Sequence, residues 1–212
     1  MQIAVIGTGN VGRAVGGVWA RAGHQVTYGT RDPAKLLGEE PGARVLTPEA
    51  AADGAEVVLL ALPWKVAEAA IAGLGPLTGT IVIDCMNPIA MGPEGMGLAI
   101  GHTTSGGELV QSWLPDARVV KTLNQVGAEI MAHTTGFPVP PVQLLAGNDA
   151  AAKGVVAGLL TDLGFEPLDA GLLSKSRLLE PFALVWINQA IARGHGRDWA
   201  FGAMRKSTGE KA

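Results

Sequence analysis

Six residues near the start of the chain, Gly7-Thr8-Gly9-Asn10-Val11-Gly12, constrain its fold more than any other stretch. They follow a short apolar run, Ile3-Ala4-Val5-Ile6, and precede a segment with helical spacing. Strand, glycine turn and helix, in that order, make the opening unit of a doubly wound sheet. Gly7 allows the tight turn, Gly9 keeps a side chain out of the way of a pyrophosphate, and Gly12 lets the helix lie close to the strand. The backbone from Thr8 through Asn10 and Val11 then offers N–H groups to phosphate at a helix N-terminus, where the macrodipole favours negative charge. The motif alone is weak, but with both flanks in place it points strongly to a dinucleotide.

The pattern continues along the chain. Strands are predicted over 2–6, 25–28, 44–46, 56–62, 80–84, 118–123, 142–146 and 166–169, most of them apolar enough to be buried on both faces. Helices are predicted over 10–22, near 48–53, from 64 to about 73, from Ser105 to about Leu114 and over 149–163. Ala14, Val18 and Ala22 repeat at helical spacing in the first, and Gly16 and Gly17 would let it approach the sheet. Ser105 and Glu108 form a capping box. Met91–Gly101 reads as an irregular loop. The fold class is therefore α/β: a doubly wound Rossmann-type parallel sheet extended to about eight strands, with a short C-terminal helical segment. Residues 1–170 form the dinucleotide-binding domain, and 171–212 complete the cleft. That last segment holds a long helix to about Ala192 whose Leu178, Pro181, Phe182, Val185 and Ile187 are too apolar for solvent, so a homodimer is expected. Trp199 and Phe201 should dock, and Ser207 onward should fray.

Composition removes other classes. A formal charge of −3 argues against a nucleic-acid partner, and a single cysteine, Cys85, rules out a disulfide framework or a cysteine metal cage. No histidine pair has metal-ligand spacing, so no metal is expected. No apolar run reaches the roughly 18 residues of a membrane span, and no targeting signal precedes the first strand, so a cytoplasmic protein without membrane contact is expected.

Cofactor choice is decided at the end of the second strand. An NAD site usually carries a carboxylate there for the ribose 2′-OH. This chain has Gly29-Thr30-Arg31 instead, so Thr30 and Arg31 can hold a 2′-phosphate, while Asp32 precedes Pro33 and reads as the opening of a turn or helix. The expected cofactor is NADP. The carboxyl ends of the later strands supply Leu62, Pro63, Trp64, Asn87, Pro88 and Asn124, which should line the nicotinamide end. Trp64 could present a flat face to the cofactor or simply pack on a loop.

Several stretches resemble the F420-dependent NADP oxidoreductase family: IAVIGTGNVG, YGTRDP, ALPW, VVKTLNQVGAE, LLAGND and, most specific, LDAGLLSKSRLLE. They span nearly the whole chain in the family's order. The cytosolic reductase domains of membrane metalloreductases share several of them. The resemblance implies a homodimer with NADP on the glycine loop and on Thr30-Arg31. It also implies coenzyme F420, or a flavin such as FMN or FAD, next to the nicotinamide. Lys175 and Arg177, with Lys121 a weaker third, are the basic residues available to an acidic acceptor. Arg177 could instead pair with Glu180 or cap a helix.

The expected reaction is hydride transfer between NADP(H) and a small-molecule redox substrate, the deazaflavin or flavin. Proximity would do most of the work, with no dedicated catalytic residue. One alternative is an NADPH-dependent reductase of a small carbonyl or imine, which would need a proton donor such as His102, His133 or Lys121. A second is a non-catalytic NADP(H)-binding redox sensor.

Overall fold

The computed structural model describes residues 1–39 and 43–206, so the expected fraying from Ser207 onward lies outside the described residues. The first strand, β1 (Gln2–Ile6), runs through the glycine turn into α1 (Asn10–Arg21) and then β2 (Gln25–Gly29). Next come α2 (Pro33–Glu39), β3 (Arg44–Leu46), α3 (Pro48–Ala52), β4 (Val57–Leu60), α4 (Trp64–Ala72) and β5 (Ile81–Asp84). A two-stranded hairpin, β6 (Ile89–Gly92) and β7 (Gly95–Leu98), stands where an irregular loop was expected. The positive φ of Gly95, +102°, supplies the tight turn that glycine permits. The chain continues through α5 (Gly106–Trp113), β8 (Arg118–Lys121), α6 (Ala128–Ala132), β9 (Val142–Gly147), α7 (Ala150–Asp162) and β10 (Glu166–Gly171). A 3-10 turn, Leu173–Lys175, leads into α8 (Ser176–Ile187), which ends in a π-helical turn, Asn188–Ala192.

Eight strands form one sheet in the order β10-β9-β8-β5-β4-β1-β2-β3. The six from β8 to β3 are parallel, each pair joined by connections that cross back over the sheet. β9 departs from this: it is antiparallel to β8 and shares only two residue pairs with it, Val120–Gly147 and Lys121–Ala146. The five-residue α6 is too short to carry the chain back along the sheet for another parallel strand. Where β8 and β9 diverge, Gln125 takes over the ladder. Its Nε2 donates to Leu144 O at 2.9 Å, and its Oε1 accepts from Leu144 N at 3.0 Å.

Alternation sends each central strand into two cores. Ile3, Val5, Val57, Leu59, Ile81 and Ile83 face a cluster with Val15 and Trp19 of α1 and Val156 and Leu160 of α7. Ala4, Ile6, Val58, Leu60 and Val82 face Ala67 and Ile71 of α4 and Val110 of α5. Trp19 is fully buried and donates its indole N–H to Leu159 O at 3.0 Å, tying α1 to α7. Gly16 does admit close packing, since a Cβ there would stand 2.7 Å from the Tyr28 hydroxyl, but Gly17 meets only Arg21. Trp199 and Phe201 dock as expected: Trp199 stacks on Trp186 at 5.8 Å and accepts its indole N–H through the backbone oxygen. Among the described residues no helix is long and apolar enough to cross a membrane.

Candidate functional site

One register line sets the site. Gly29, Ile6, Leu60, Asp84 and Lys121 are successive partners across β2, β1, β4, β5 and β8. Every segment that follows them therefore emerges along the same carboxyl edge. Thr30, the glycine turn, Leu62, the Cys85–Pro88 turn and Asn124 are brought together by this alignment.

The three motif glycines are held by different constraints. Gly7 has φ +106°, and a Cβ there would lie 2.2 Å from Ala61 O, so β1 and β4 can close only on a glycine. At Gly12 a Cβ would lie 1.9 Å from Gly7 O, which is the close helix approach. A Cβ on Gly9 would meet no heavy atom within 4 Å. Gly9 is the N-cap of α1 and makes no side-chain cap, and no acidic residue stands in the first turn. Thr8 is fixed through its carbonyl, which accepts from Arg13 Nε at 3.2 Å. Asn10 is exposed, and Val11 is half-buried against the first core.

At the end of β2, Thr30 N donates to Leu46 O at 3.0 Å, and Arg31 is exposed. Asp32 Oδ1 accepts from Lys35 N at 3.2 Å, so this carboxylate is committed to the first turn of α2. Leu62 packs beside the glycine turn, its Cδ2 3.2 Å from a Cβ built on Gly7. Pro63 is the N-cap of α4. Trp64 is half-buried, with its ring stacked on Trp113 at 5.5 Å and close to Gly106. It packs on α5, which is the simpler of its two expected roles.

Asn87 and Asn124 form a reciprocal pair. Asn87 Nδ2 donates to Asn124 O at 2.8 Å, and Asn124 Nδ2 donates to Asn87 Oδ1 at 3.0 Å and to Leu179 O of α8 at 3.2 Å. The preceding Leu123 is buried with φ +56°, a left-handed conformation that costs a leucine roughly 1–3 kcal/mol. The hydrogen bonds of Thr122 and Gln125 to Leu144 hold it there. Pro88 is buried, and its carbonyl accepts from Ala99 N at 2.7 Å at the base of the hairpin.

Lys121 requires a correction. It is 0% exposed, and its Nζ lies 3.0 Å from Asp84 Oδ2, 3.0 Å from Glu180 Oε1 and 2.5 Å from Met86 O. It can neither reach a substrate nor serve as its proton donor. Burial pulls its pKa down, but Asp84 and Glu180 more than offset this and leave it raised, so the ammonium stays charged. Glu180 also accepts from Gly106 N and Gly107 N, at 3.0 and 3.1 Å, and so caps α5 from a helix more than seventy residues away. Neither Asp84 nor Glu180 was anticipated as part of the site. The available signal was a charged residue at the end of two largely apolar strands, Asp84 in IVID and Lys121 in RVVK, and Glu180 inside the apolar α8 run. The neighbouring Cys85 thiol is pushed up to about 12, chiefly by burial and then by Asp84, and donates to Leu60 O at 3.2 Å. It is no nucleophile.

A groove of about 770 Å³ lies between residues 98–102 and α8, with His102, Lys175, Arg177, Leu178 and Pro181 among its lining residues. Arg177 pairs with Glu108, not with Glu180: its Nε and Nη2 stand 2.8 and 2.6 Å from the two carboxylate oxygens. This holds the Glu108 carboxyl below its ordinary range. The capping box is present, Ser105 Oγ accepting from Glu108 N at 3.3 Å. Lys175 is exposed. His102 is exposed with φ +58°, whereas His133 is the exposed C-cap residue of α6, outside the groove lining.

The comparisons agree with this geometry. The model of a family described as NADP oxidoreductase, coenzyme F420-dependent, matches residues 2–88. A crystal structure of a candidate F420-dependent NADP-reductase from Arthrobacter sp. FB24 is 36% identical, with 97% of this chain and 100% of that chain covered and a TM-score of 0.87. Metalloreductase STEAP3 of Rattus norvegicus is 27% identical over 86% of this chain, which spans only 36% of that protein's length. A reductive aminase from Aspergillus terreus, in complex with NADPH and ethyl-5-oxohexanoate, shares the fold at a TM-score of 0.67 and 19% identity, with 91% of this chain and 62% of that one covered. The chain is therefore an NADP-dependent oxidoreductase and belongs to the coenzyme F420-dependent NADP oxidoreductase family.

Proposed function

We propose that this protein transfers a hydride between NADP(H) and a deazaflavin of the F420 type, or a flavin. The observation that carries the cofactor half is the open first turn of α1 beside a β2 end whose carboxylate, Asp32, is spent on α2. N–H groups from Gly7 to Gly12 hold the pyrophosphate, and the Thr30 hydroxyl and Arg31 guanidinium hold the 2′-phosphate. Leu62, Pro63, Trp64, Asn87, Pro88 and Asn124 border the nicotinamide end, with Trp64 contributing mainly through its place at the start of α4. Bound NADP(H) supplies hydride chemistry at the nicotinamide C4, and the chain's own contribution is orientation and exclusion of water. Residues 1–170 serve as the NADP-binding unit, and 171–212 as the segment that completes the cleft.

For the acceptor, α8 supplies the link. Its Leu179 and Glu180 meet the crevice floor, while Leu178 and Pro181 face the groove lined by Lys175 and Arg177. Lys175 is an exposed cation on that wall, and Arg177 is shared with Glu108. Away from the groove the segment exposes Val185 at 49%, and a second copy of the chain is the proposed cover.

A spectrophotometric screen of NADPH oxidation with F420, FMN, FAD and simple carbonyls tests the reading. Turnover with F420 or a flavin supports it. Turnover with carbonyls or imines alone replaces it by the reductase reading, which the exposed His102 on the groove wall favours as proton donor. NADPH binding with no turnover would leave a redox sensor.

A further inference from the structure

Beneath the crevice floor a closed ring of hydrogen bonds joins three elements. Asp84 ends β5 and Lys121 ends β8, and the two are register partners. Asp84 Oδ2 accepts from Lys121 Nζ, and Asp84 Oδ1 accepts from Met86 N at 2.9 Å. Lys121 Nζ also donates to Met86 O. Both backbone polar groups of Met86 are therefore held by the same ion pair. Asn87 comes next and is locked to Asn124, which in turn donates to Leu179 O. Glu180 follows Leu179 and returns to Lys121.

All three charged residues are at most 1% exposed. A buried ion cluster is a weak way to gain stability, because well-packed apolar residues of the same volume commonly do as well. What apolar residues cannot supply is direction. Here the second carboxylate is balanced by the Gly106 and Gly107 N–H groups at the start of α5, so each charge has a fixed partner. The cluster ends on the turn that carries Asn87.

We propose that the Asp84–Lys121–Glu180 triad is a positioning device: through Met86 and Leu179 it fixes the Asn87–Asn124 amide pair, and thereby the orientation of the nicotinamide of bound NADP(H). This rests on the crevice being the NADP(H) site. The three residues are too buried to reach a cofactor, and the pyrophosphate and 2′-phosphate are proposed to bind on other segments. Removing the triad should therefore disturb ring orientation far more than affinity.

The test compares the wild-type protein with D84N/K121M/E180Q, which removes the charges together, and with E180Q, which keeps an acceptor toward α5. Three quantities are read: the NADPH dissociation constant, the fluorescence lifetime of bound NADPH, and the single-turnover hydride-transfer rate. The lifetime reports immobilisation of the nicotinamide whatever the acceptor. In the triple variant affinity should stay within about threefold while the lifetime drops toward that of free NADPH and hydride transfer slows at least about tenfold. E180Q should show the same split at roughly threefold in rate, and it carries the test if the triple variant does not fold. Unchanged lifetime and rate overturn the proposal, as does a parallel loss of affinity and rate, which would mark a purely structural cluster. A wild-type protein whose bound NADPH has the lifetime of the free cofactor would instead sink the crevice reading, and the proposal with it.

Discussion

Two helices begin at the carboxyl edge of the sheet, and their first turns are completed in opposite ways. The start of α5 is filled from within: Ser105 accepts from Glu108 N, and Glu180 accepts from both Gly106 N and Gly107 N. The start of α1 has no side-chain cap and no acidic residue, and a methyl group on Gly9 would touch nothing. Every helix N-terminus must find acceptors for its first N–H groups. Where the chain provides a buried carboxylate, the terminus is a structural joint. Where it withholds even a Cβ, the terminus suits an anion that arrives from outside. The glycines follow the same division, since a Cβ on Gly107 would stand 2.6 Å from Ser176 Oγ, whereas the space at Gly9 is open.

The largest expected effects break each terminus separately. Glu180→Ala leaves Lys121 with only Asp84 as a charge partner and strips two N–H groups of their acceptor. Breaking a buried ion group in this way should cost about 3–5 kcal/mol in denaturant unfolding. A loss under about 1 kcal/mol would show that the α5 terminus is no joint. Gly9→Val should have the complementary outcome. NADPH affinity should fall at least about 100-fold, or ~2.7 kcal/mol, with melting shifted by only a few degrees. Normal affinity in that variant would remove the pyrophosphate from α1.

These two termini were not equally legible in the sequence. The strand–turn–helix at the start of α1 could be read because its signal is local: strand, glycines and helix lie within twenty residues, and the steric demands at Gly7 and Gly12 are written in residue type. The capping box at Ser105 and Glu108 was visible for the same reason. Most strands of the main sheet follow from apolar runs bounded by glycine and polar turns, and β3 and β10 from their place in the repeating pattern. What sequence could not supply was pairing across distance. Lys121 looked available to a substrate because its two carboxylates are supplied by β5 and α8, 37 and 59 positions away. Arg177 was nearer in sequence to Glu180 but pairs with Glu108 across the fold. The direction of β9 escaped too, because strand polarity depends on how far α6 can carry the chain. The hairpin β6–β7 was hidden because its glycines have low strand propensity.

The next effect sharpens the α1 side by separating its two phosphate contacts. Arg31→Glu leaves the glycine turn intact and places a carboxylate at the end of β2, where Thr30 and Arg31 are proposed to hold the 2′-phosphate. NADPH affinity should fall by roughly 10–100-fold, while NADH affinity stays nearly constant or rises slightly. Titration with both cofactors measures this directly. Equal losses for both would mean that Arg31 supports the fold of the β2 end and does not select the 2′-phosphate.

The smallest expected effect belongs to the α5 side, at its solvent margin. Arg177 and Glu108 are 37% and 24% exposed, so water screens much of their attraction. Arg177, through its hydrogen bonds, is the main reason the Glu108 carboxyl is held below its ordinary value of 4.5. A carboxyl with a lowered folded-state pKa contributes its full stability above the unfolded value and loses it as pH falls through the folded one. Arg177→Met should therefore melt a degree or two below wild type near about pH 7, with the gap closing as the pH falls below the ordinary carboxylate range. Thermal melts across that range check the sign. A gap that persists unchanged in acid would assign the effect to packing of the Arg177 stem on the groove wall, because only the ion pair depends on the Glu108 charge.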